Sequence, residues 1–128
     1  MILLDTCGLL ALQNAGQALS EAARAQLEAP GSEVFVSAIS AFEIGQKQQA
    51  GKLALNQSVR LWFTAMLIHH QLVELTVTSG ICALATNLPP LHKDPFDRII
   101  IATAMEKRLT ILTSDKIIPT YPGIRVLW

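Results

Sequence analysis

Short apolar runs alternate with longer amphipathic stretches along this chain, and most boundaries carry a turn or cap residue. Ile2–Leu4 is wholly apolar, stops at Asp5, and reads as a buried strand. Gly8–Asn14 and Ser20–Ala29 read as helices, the second with Ser20 as its N-cap and Pro30-Gly31 as its stop. Val34–Val36 predicts a second strand, followed by a helix over Ala38–Ala50 that Gly51 closes. Val59–His70 predicts another helix, Leu72–Val77 a strand, and Ile81–Asn87 a helix ending before Pro89-Pro90. The best-marked helix is Pro95–Arg108, with Asp94 at the N-cap and a proline at the first helical position. Thr110–Thr113 and Arg125–Trp128 complete the strands.

This alternating order, with connections of about a dozen residues or more, implies parallel strands covered by helices on both faces. Runs such as ILL, VFV and TIL are apolar throughout, as strands buried on both sides require. The expectation is one α/β domain over residues 1–128, with no repeat, low-complexity tract or linker.

Composition narrows the partners. A chain that is 51% hydrophobic and 16% charged is not intrinsically disordered. Ten basic and ten acidic side chains cancel, so no global cationic field draws it to nucleic acid, and any such contact is local. Cys7 and Cys82 are too few for a disulfide scaffold and favour a reducing compartment. Met1–Leu12 is largely apolar, yet Asp5 interrupts it and no basic residue precedes it, unlike a signal peptide. The uncharged stretches Thr6–Ser20 and Leu75–Leu91 fall short of the roughly 20 apolar residues that span a bilayer. The expectation is a soluble, cytoplasmic protein with no membrane partner.

The candidate chemistry lies in the acids. Asp5 follows the first strand directly, and Asp115 lies just past Thr110–Thr113. Asp97 and Glu43 sit in the first turns of the helices predicted at Pro95–Arg108 and Ala38–Ala50. In an open parallel sheet, strand C-termini and the following helix N-termini share the edge where ligands bind. Acids from separate elements therefore converge on one rim. Each also has a purely structural reading. Ser40-Ala41-Phe42-Glu43 matches a capping box, Asp5 and Asp115 could cap the helices that follow, and Asp97 could complement a helix dipole. Helix phase weakens that reading for Asp97, because Ile100, Ile101 and Ala104 follow on its own stripe, the one that faces the sheet. Glu43 stands on the border of its buried face, with Ile39 behind it and Gln46 and Lys47 ahead.

Two carboxylates about 4 Å apart repel by about 4 kcal/mol at a protein-surface dielectric. Such a rim must raise some pKa values, recruit basic side chains, or bind a cation. Oxygen ligands open to water suit Mg2+ or Mn2+, and the chemistry that follows is metal-assisted phosphodiester hydrolysis. Lys93, Arg98 and Lys116 lie beside acids in sequence, and Lys47 is one turn beyond Glu43. They read either as phosphate contacts or as solvated charges that dampen repulsion. His69-His70, His92, Cys7 and Cys82 match no common zinc spacing. Trp62, Phe63, Met66 and Leu67 fall at helical spacing and mark either core or a dimer contact.

The segments MILLDTCGLL, SAISAFEIGQKQQAGKL, LPPLHKDPFDRIIIATA and LTILTSDKII, with the closing VLW, resemble the PIN-domain ribonucleases. The likeness is to the VapC-type toxins of bacterial type II toxin–antitoxin pairs. It departs at Cys7-Gly8 and at Phe42, where such chains often carry Trp. The resemblance implies that Asp5, Glu43 and Asp97 are catalytic, metal-binding acids, with Asp115 the fourth. Thr6 and Thr113 then fall at supporting hydroxyl positions, and Asp94 serves as a helix cap. It further implies a three-layer α/β/α domain around a mainly parallel sheet of four or five strands in the order 3-2-1-4-5. The activity implied is Mg2+-dependent (or Mn2+-dependent) endonucleolytic hydrolysis of RNA by metal-activated water. The partners implied are a second copy of the chain and a small cognate antitoxin, through which alone DNA is met. A receiver domain is the rival class. It needs an acidic pair after the first strand and an acceptor Asp closing a middle one, and neither Leu4-Asp5-Thr6 nor Val34–Ser37 supplies them. An inactive Mg2+-binding interaction domain keeps the fold, but four retained acids argue against it.

Overall fold

Alternation along the central strand divides the core in two: Ile2 and Leu4 point to one face of the sheet and Leu3 to the other. The computed structural model describes all 128 residues. Its elements are β1 (Ile2–Leu4), α1 (Thr6–Gln13), α2 (Glu21–Glu28), β2 (Val34–Ser37), α3 (Ile39–Gln49) and α4 (Val59–His69). They continue with β3 (Val73–Leu75), α5 (Ser79–Asn87), α6 (Pro95–Lys107), β4 (Thr110–Leu112) and β5 (Arg125–Leu127). A 3-10 turn at Ile118–Thr120 precedes β5. All four strand pairings are parallel and the order is β3-β2-β1-β4-β5. The expected 3-2-1-4-5 sheet is thus present with five strands. A receiver domain has the different order 2-1-3-4-5, so that rival fails on topology.

Ile2 and Leu4 pack with Leu9 of α1, Ala23 of α2, and Trp62, Phe63 and Met66 of α4. Those three α4 side chains are therefore core. On the opposite face Leu3 and Ile111 pack with Ile81 of α5, Ile100 and Ile101 of α6, and Tyr121. Helices cover both faces, which gives three layers. No helix is long and apolar enough to cross a membrane.

Helix starts follow local hydrogen-bond supply. Helix α1 begins at Thr6 rather than Gly8, because the Asp5 carboxylate itself accepts the Gly8 N–H. Helix α5 begins at Ser79 rather than Ile81, because the Thr78 hydroxyl accepts the Ile81 N–H at 3.2 Å. The capping-box reading of Ser40 and Glu43 is corrected: α3 starts at Ile39 with Ala38 as N-cap and no side-chain cap. Ser40 is fully buried in the first turn instead, and its Oγ accepts the Thr6 hydroxyl at 3.2 Å. The 3-10 turn carries no periodic signal in the sequence and is started by Asp115, which accepts the N–H groups of Ile117 and Ile118.

Gly8 lets α1 lie against the end of β4. A Cβ there would stand 2.9 Å from the Leu112 carbonyl oxygen and 3.4 Å from Asp5 Oδ1. Gly8→Ala is therefore expected to cost roughly 1–3 kcal/mol, the usual penalty of overpacking. Thermal denaturation followed by circular dichroism reads this as a lower Tm, and an unchanged Tm contradicts the close approach.

Candidate metal centre

Each acid reaches the rim by a different local route. Asp5 ends β1 and is only 2% exposed. Its Oδ1 accepts the Gly8 N–H at 2.7 Å and its Oδ2 accepts the Thr113 hydroxyl, so one side chain is both helix cap and rim acid. Burial pushes its carboxyl up to about 6 against those two hydrogen bonds, and the charges of Glu43 and Asp115 raise it further. Thr113 Oγ1 also accepts the Asp115 N–H at 3.0 Å, tying the ends of β1 and β4 together. Thr6 makes no hydrogen bond to an acid side chain; through Ser40 it braces the first turn of α3, which leads into Glu43.

Glu43 is half-buried, and its Oε1 is sealed from solvent with no hydrogen-bond partner. A buried acceptor left unpaired costs about 1–3 kcal/mol, more when charged, so an orphaned oxygen here points to an absent donor or cation. Glu43, Lys47, Lys52, Asp94 and Phe96 line a cleft of about 330 Å³.

Asp97 occupies the first turn of α6, above the buried Ile100, Ile101 and Ala104 that its helix phase predicts. Burial, and then Asp94, push its carboxyl up to about 7; His92 opposes this, while Glu43 and Asp5 add to it. Asp94 caps the helix by accepting the Phe96 N–H at 2.9 Å. Asp115 has both oxygens engaged. Its Oδ1 accepts from Ile117 and Ile118 at 2.7 and 3.1 Å, and its Oδ2 lies 3.0 Å from His92 Nε2. Burial raises this carboxyl, but the bonds from His92, Ile117 and Ile118 outweigh it and hold it below its ordinary value.

His92 is the site residue that sequence spacing passes over. Its Nε2 lies between Asp115 Oδ2 at 3.0 Å and Asp97 Oδ2 at 3.2 Å. One potential ligand atom from each of these three residues falls within 4.8 Å of the others. Spacing tests look for zinc sets; the usable signal is a histidine two positions ahead of a helix-capping Asp. Asp5 and Glu43 stand outside this tight group and act on it through charge, since Glu43 raises both Asp5 and Asp97.

The basic residues do not neutralise the rim. No lysine or arginine makes an ion-pair contact in the chain; only His92 stands within that distance of acids, Asp97 and Asp115. Arg98 is not a phosphate contact: its guanidinium donates to the carbonyls of Ala85, Leu88, Pro89 and His92 and to Tyr121 Oη. It caps the end of α5. Lys93 and Lys116 are exposed, and Lys47 is half-buried at the cleft. The rim thus offers oxygen donors, an orphaned Glu43 oxygen, two raised carboxyls and no paired lysine or arginine. A hard divalent cation that keeps part of its water shell fits this set.

Comparison with known proteins identifies the family. The family model described as PIN domain matches residues 2–124. Ribonuclease VapC22 of Mycobacterium tuberculosis (strain ATCC 25618 / H37Rv) is 34% identical over 101 residues, covering 78% of this chain and 75% of that protein. Among solved structures, VapBC2 from Rickettsia felis bound to a fragment of promoter DNA superposes with a TM-score of 0.72 at 16% identity, covering 98% of this chain and 97% of that one. DNA-bound VapBC from Salmonella typhimurium gives 0.69 at 19% identity, covering 98% and 95%. A toxin–antitoxin complex from Klebsiella pneumoniae gives 0.65 at 23% identity, covering 100% and 97%.

The raised carboxyls set the pH dependence of the metal-free protein. A folded-state pKa above the unfolded 3.8 means the native chain holds a proton the unfolded chain has lost, so stability falls as pH rises from there to about 7. Asp97→Asn removes one such group. In metal-free buffer its Tm should gain on wild type between about pH 4 and about 7 and hold that gain above. A gap that stays flat or narrows with rising pH contradicts the raised Asp97.

Proposed function

Because the chain belongs to the PIN-domain family, among the VapC-type ribonucleases, we propose that it is a Mg2+-dependent endoribonuclease and the toxin of a type II toxin–antitoxin pair. The observation that carries this reading is the sealed, unpartnered Oε1 of Glu43 beside two acids raised by burial. Asp5, Glu43 and Asp97 would hold the ion. When bound there, Mg2+ or Mn2+ would supply positive charge for acidifying a water and for offsetting charge on the phosphoryl oxygens. Asp115, with both oxygens already engaged, stands behind them as the fourth acid, and Thr113 aligns it with Asp5. In the hydrolysis, water adds to phosphorus and one P–O ester bond of the RNA breaks.

Lys47, Lys93 and Lys116 are the phosphate contacts; a chain of zero net charge needs them close to the chemistry. As single PIN domains over residues 1–128, two copies pair in the cytoplasm. A small cognate antitoxin covers the acidic rim and provides the only link to DNA.

Purified protein incubated with total RNA should generate new 5′ ends with millimolar Mg2+ and none after chelation. Glu43→Gln should fold normally and cleave about 100-fold more slowly, in line with or beyond the losses seen when even outer-shell partners of a metal are removed. Cleavage that survives chelation or this substitution overturns the proposal, and a folded wild type that never cuts RNA favours the inactive interaction domain. Expression alone should slow growth, with relief by the co-expressed antitoxin; harmless expression contradicts the toxin role.

A further inference from the structure

Phe42 precedes Glu43 in α3 and is 58% exposed, a large ring left in water beside the metal centre. It packs on Phe96, with ring centroids 5.5 Å apart and planes tilted by 42°. Phe96 is half-buried and lines the cleft of about 330 Å³ that also holds Glu43, Lys47 and Lys52. Phe42 borders a second, larger groove of about 750 Å³ along α3. Gln46 and Ala50 line both hollows, so the ring stands beside their common wall. The end of α3 brings the two lysines together. Gly51 takes a φ of +72°, and the Lys52 N–H then reaches back to the Lys47 carbonyl at 2.9 Å while the Gly51 N–H bonds that of Gln48 at 3.1 Å. Neither ammonium group has a carboxylate within ion-pair distance.

We propose that this corner binds the unpaired nucleotide next to the cut: its base stacks on Phe42, backed by Phe96, and its phosphate meets Lys47 and Lys52. The subsite rests on the RNA-cleaving reading above and adds the form of RNA that is taken, a strand with its bases unpaired. A base offers a free π-face only when it is splayed out of a helix, and an aromatic side chain then accepts any of the four. A chain of zero net charge must gather its free ammonium groups where phosphate lies, and two of them share this cleft. Because Glu43 lines the same cleft, the nucleotide held there adjoins the phosphate under attack. A protein partner would also cover an exposed ring, but it would leave the two unpaired lysines without a role.

The test uses the full-length protein and a short, end-labelled RNA strand of mixed sequence. Binding is read by fluorescence anisotropy at low salt, with a chelator present so that nothing is cut. The strand should bind about tenfold more tightly than the same sequence annealed as a duplex. Phe42→Leu keeps an apolar side chain without an aromatic face and should weaken the strand about tenfold, while Phe42→Trp should bind at least as tightly as wild type. Raising the salt separates the two halves of the subsite. Lys52→Gln should flatten the dependence of log Kd on log salt by about 0.7, whereas Phe42→Leu should leave the slope as it is. Wild-type affinity in the leucine variant, or weakened binding in the tryptophan variant, overturns the stack. An unchanged slope in Lys52→Gln overturns the phosphate contact, and equal affinity for strand and duplex, or no binding at all, overturns the subsite whole. A leucine variant that holds RNA like wild type but loses its second copy or the co-expressed antitoxin assigns the ring to a protein partner and overturns the proposal. Cleavage of total RNA keeps the two readings apart. A wild type that cuts while its affinity is indifferent to Phe42 overturns the subsite alone; one that binds through Phe42 yet never cuts overturns the nuclease reading alone.

Discussion

Negative charge withdrawn from water, with no positive side chain to meet it, is the constraint around which this molecule is organised. No lysine or arginine donates to the rim acids; their hydrogen bonds come from the N–H of Gly8, Ile117 and Ile118, the Thr113 hydroxyl, and the imidazole of His92. Backbone and hydroxyl donors orient carboxylates without cancelling them. Burial first, and repulsion between the acids after it, raise the carboxyls of Asp5 and Asp97, and the oxygen of Glu43 is left unpartnered. A fold that tolerates this arrangement must offset it elsewhere, and the two apolar layers on either side of a fully parallel sheet are where it does so.

The parallel sheet is also what makes the rim. Since β1 pairs with β2 and β4 in the same direction, Asp5 and the Thr113–Asp115 segment leave adjacent strands at the same edge. Helices α3 and α6 then bring Glu43 and Asp97 back to that edge from opposite faces of the sheet. This much is legible in the sequence, because apolar runs, cap residues and helix phase are local signals with a long reach: three apolar strand cores and the Asp94-Pro95 start almost dictate the layout. The stripe of Ile100, Ile101 and Ala104 beneath Asp97 is the plainest case.

The rest was hidden because it depends on contacts between segments far apart in the chain. Ser40 and Glu43 match a capping motif, yet Ser40 is drawn inward to Thr6, from which it is separated by 34 positions. Arg98 follows Asp97 directly, but neighbours on a helix do not share a face. Asp97 meets the rim while Arg98 turns to the carbonyls at the end of α5. Adjacency in sequence misleads for that reason. His92 was invisible for a third reason: its partners, Asp97, Asp115 and Tyr121, gather only once the β4–β5 connection folds over the loop ahead of α6.

That connection ties rigidity to chemistry. Tyr121 Oη donates to the Pro89 carbonyl while accepting from the His92 N–H and from Arg98, so one buried phenol anchors the loop that carries the imidazole. Arg98 binds the same loop through the carbonyls of Leu88, Pro89 and His92. The positive charge nearest in sequence to Asp97 is therefore spent on neutral carbonyls, where it braces the scaffold and leaves the rim negative. Had Arg98 faced the acids, it would have lowered their repulsion and with it their hold on a divalent cation. Keeping the cationic side chain behind the site is one solution to a single requirement: rigid geometry without loss of charge.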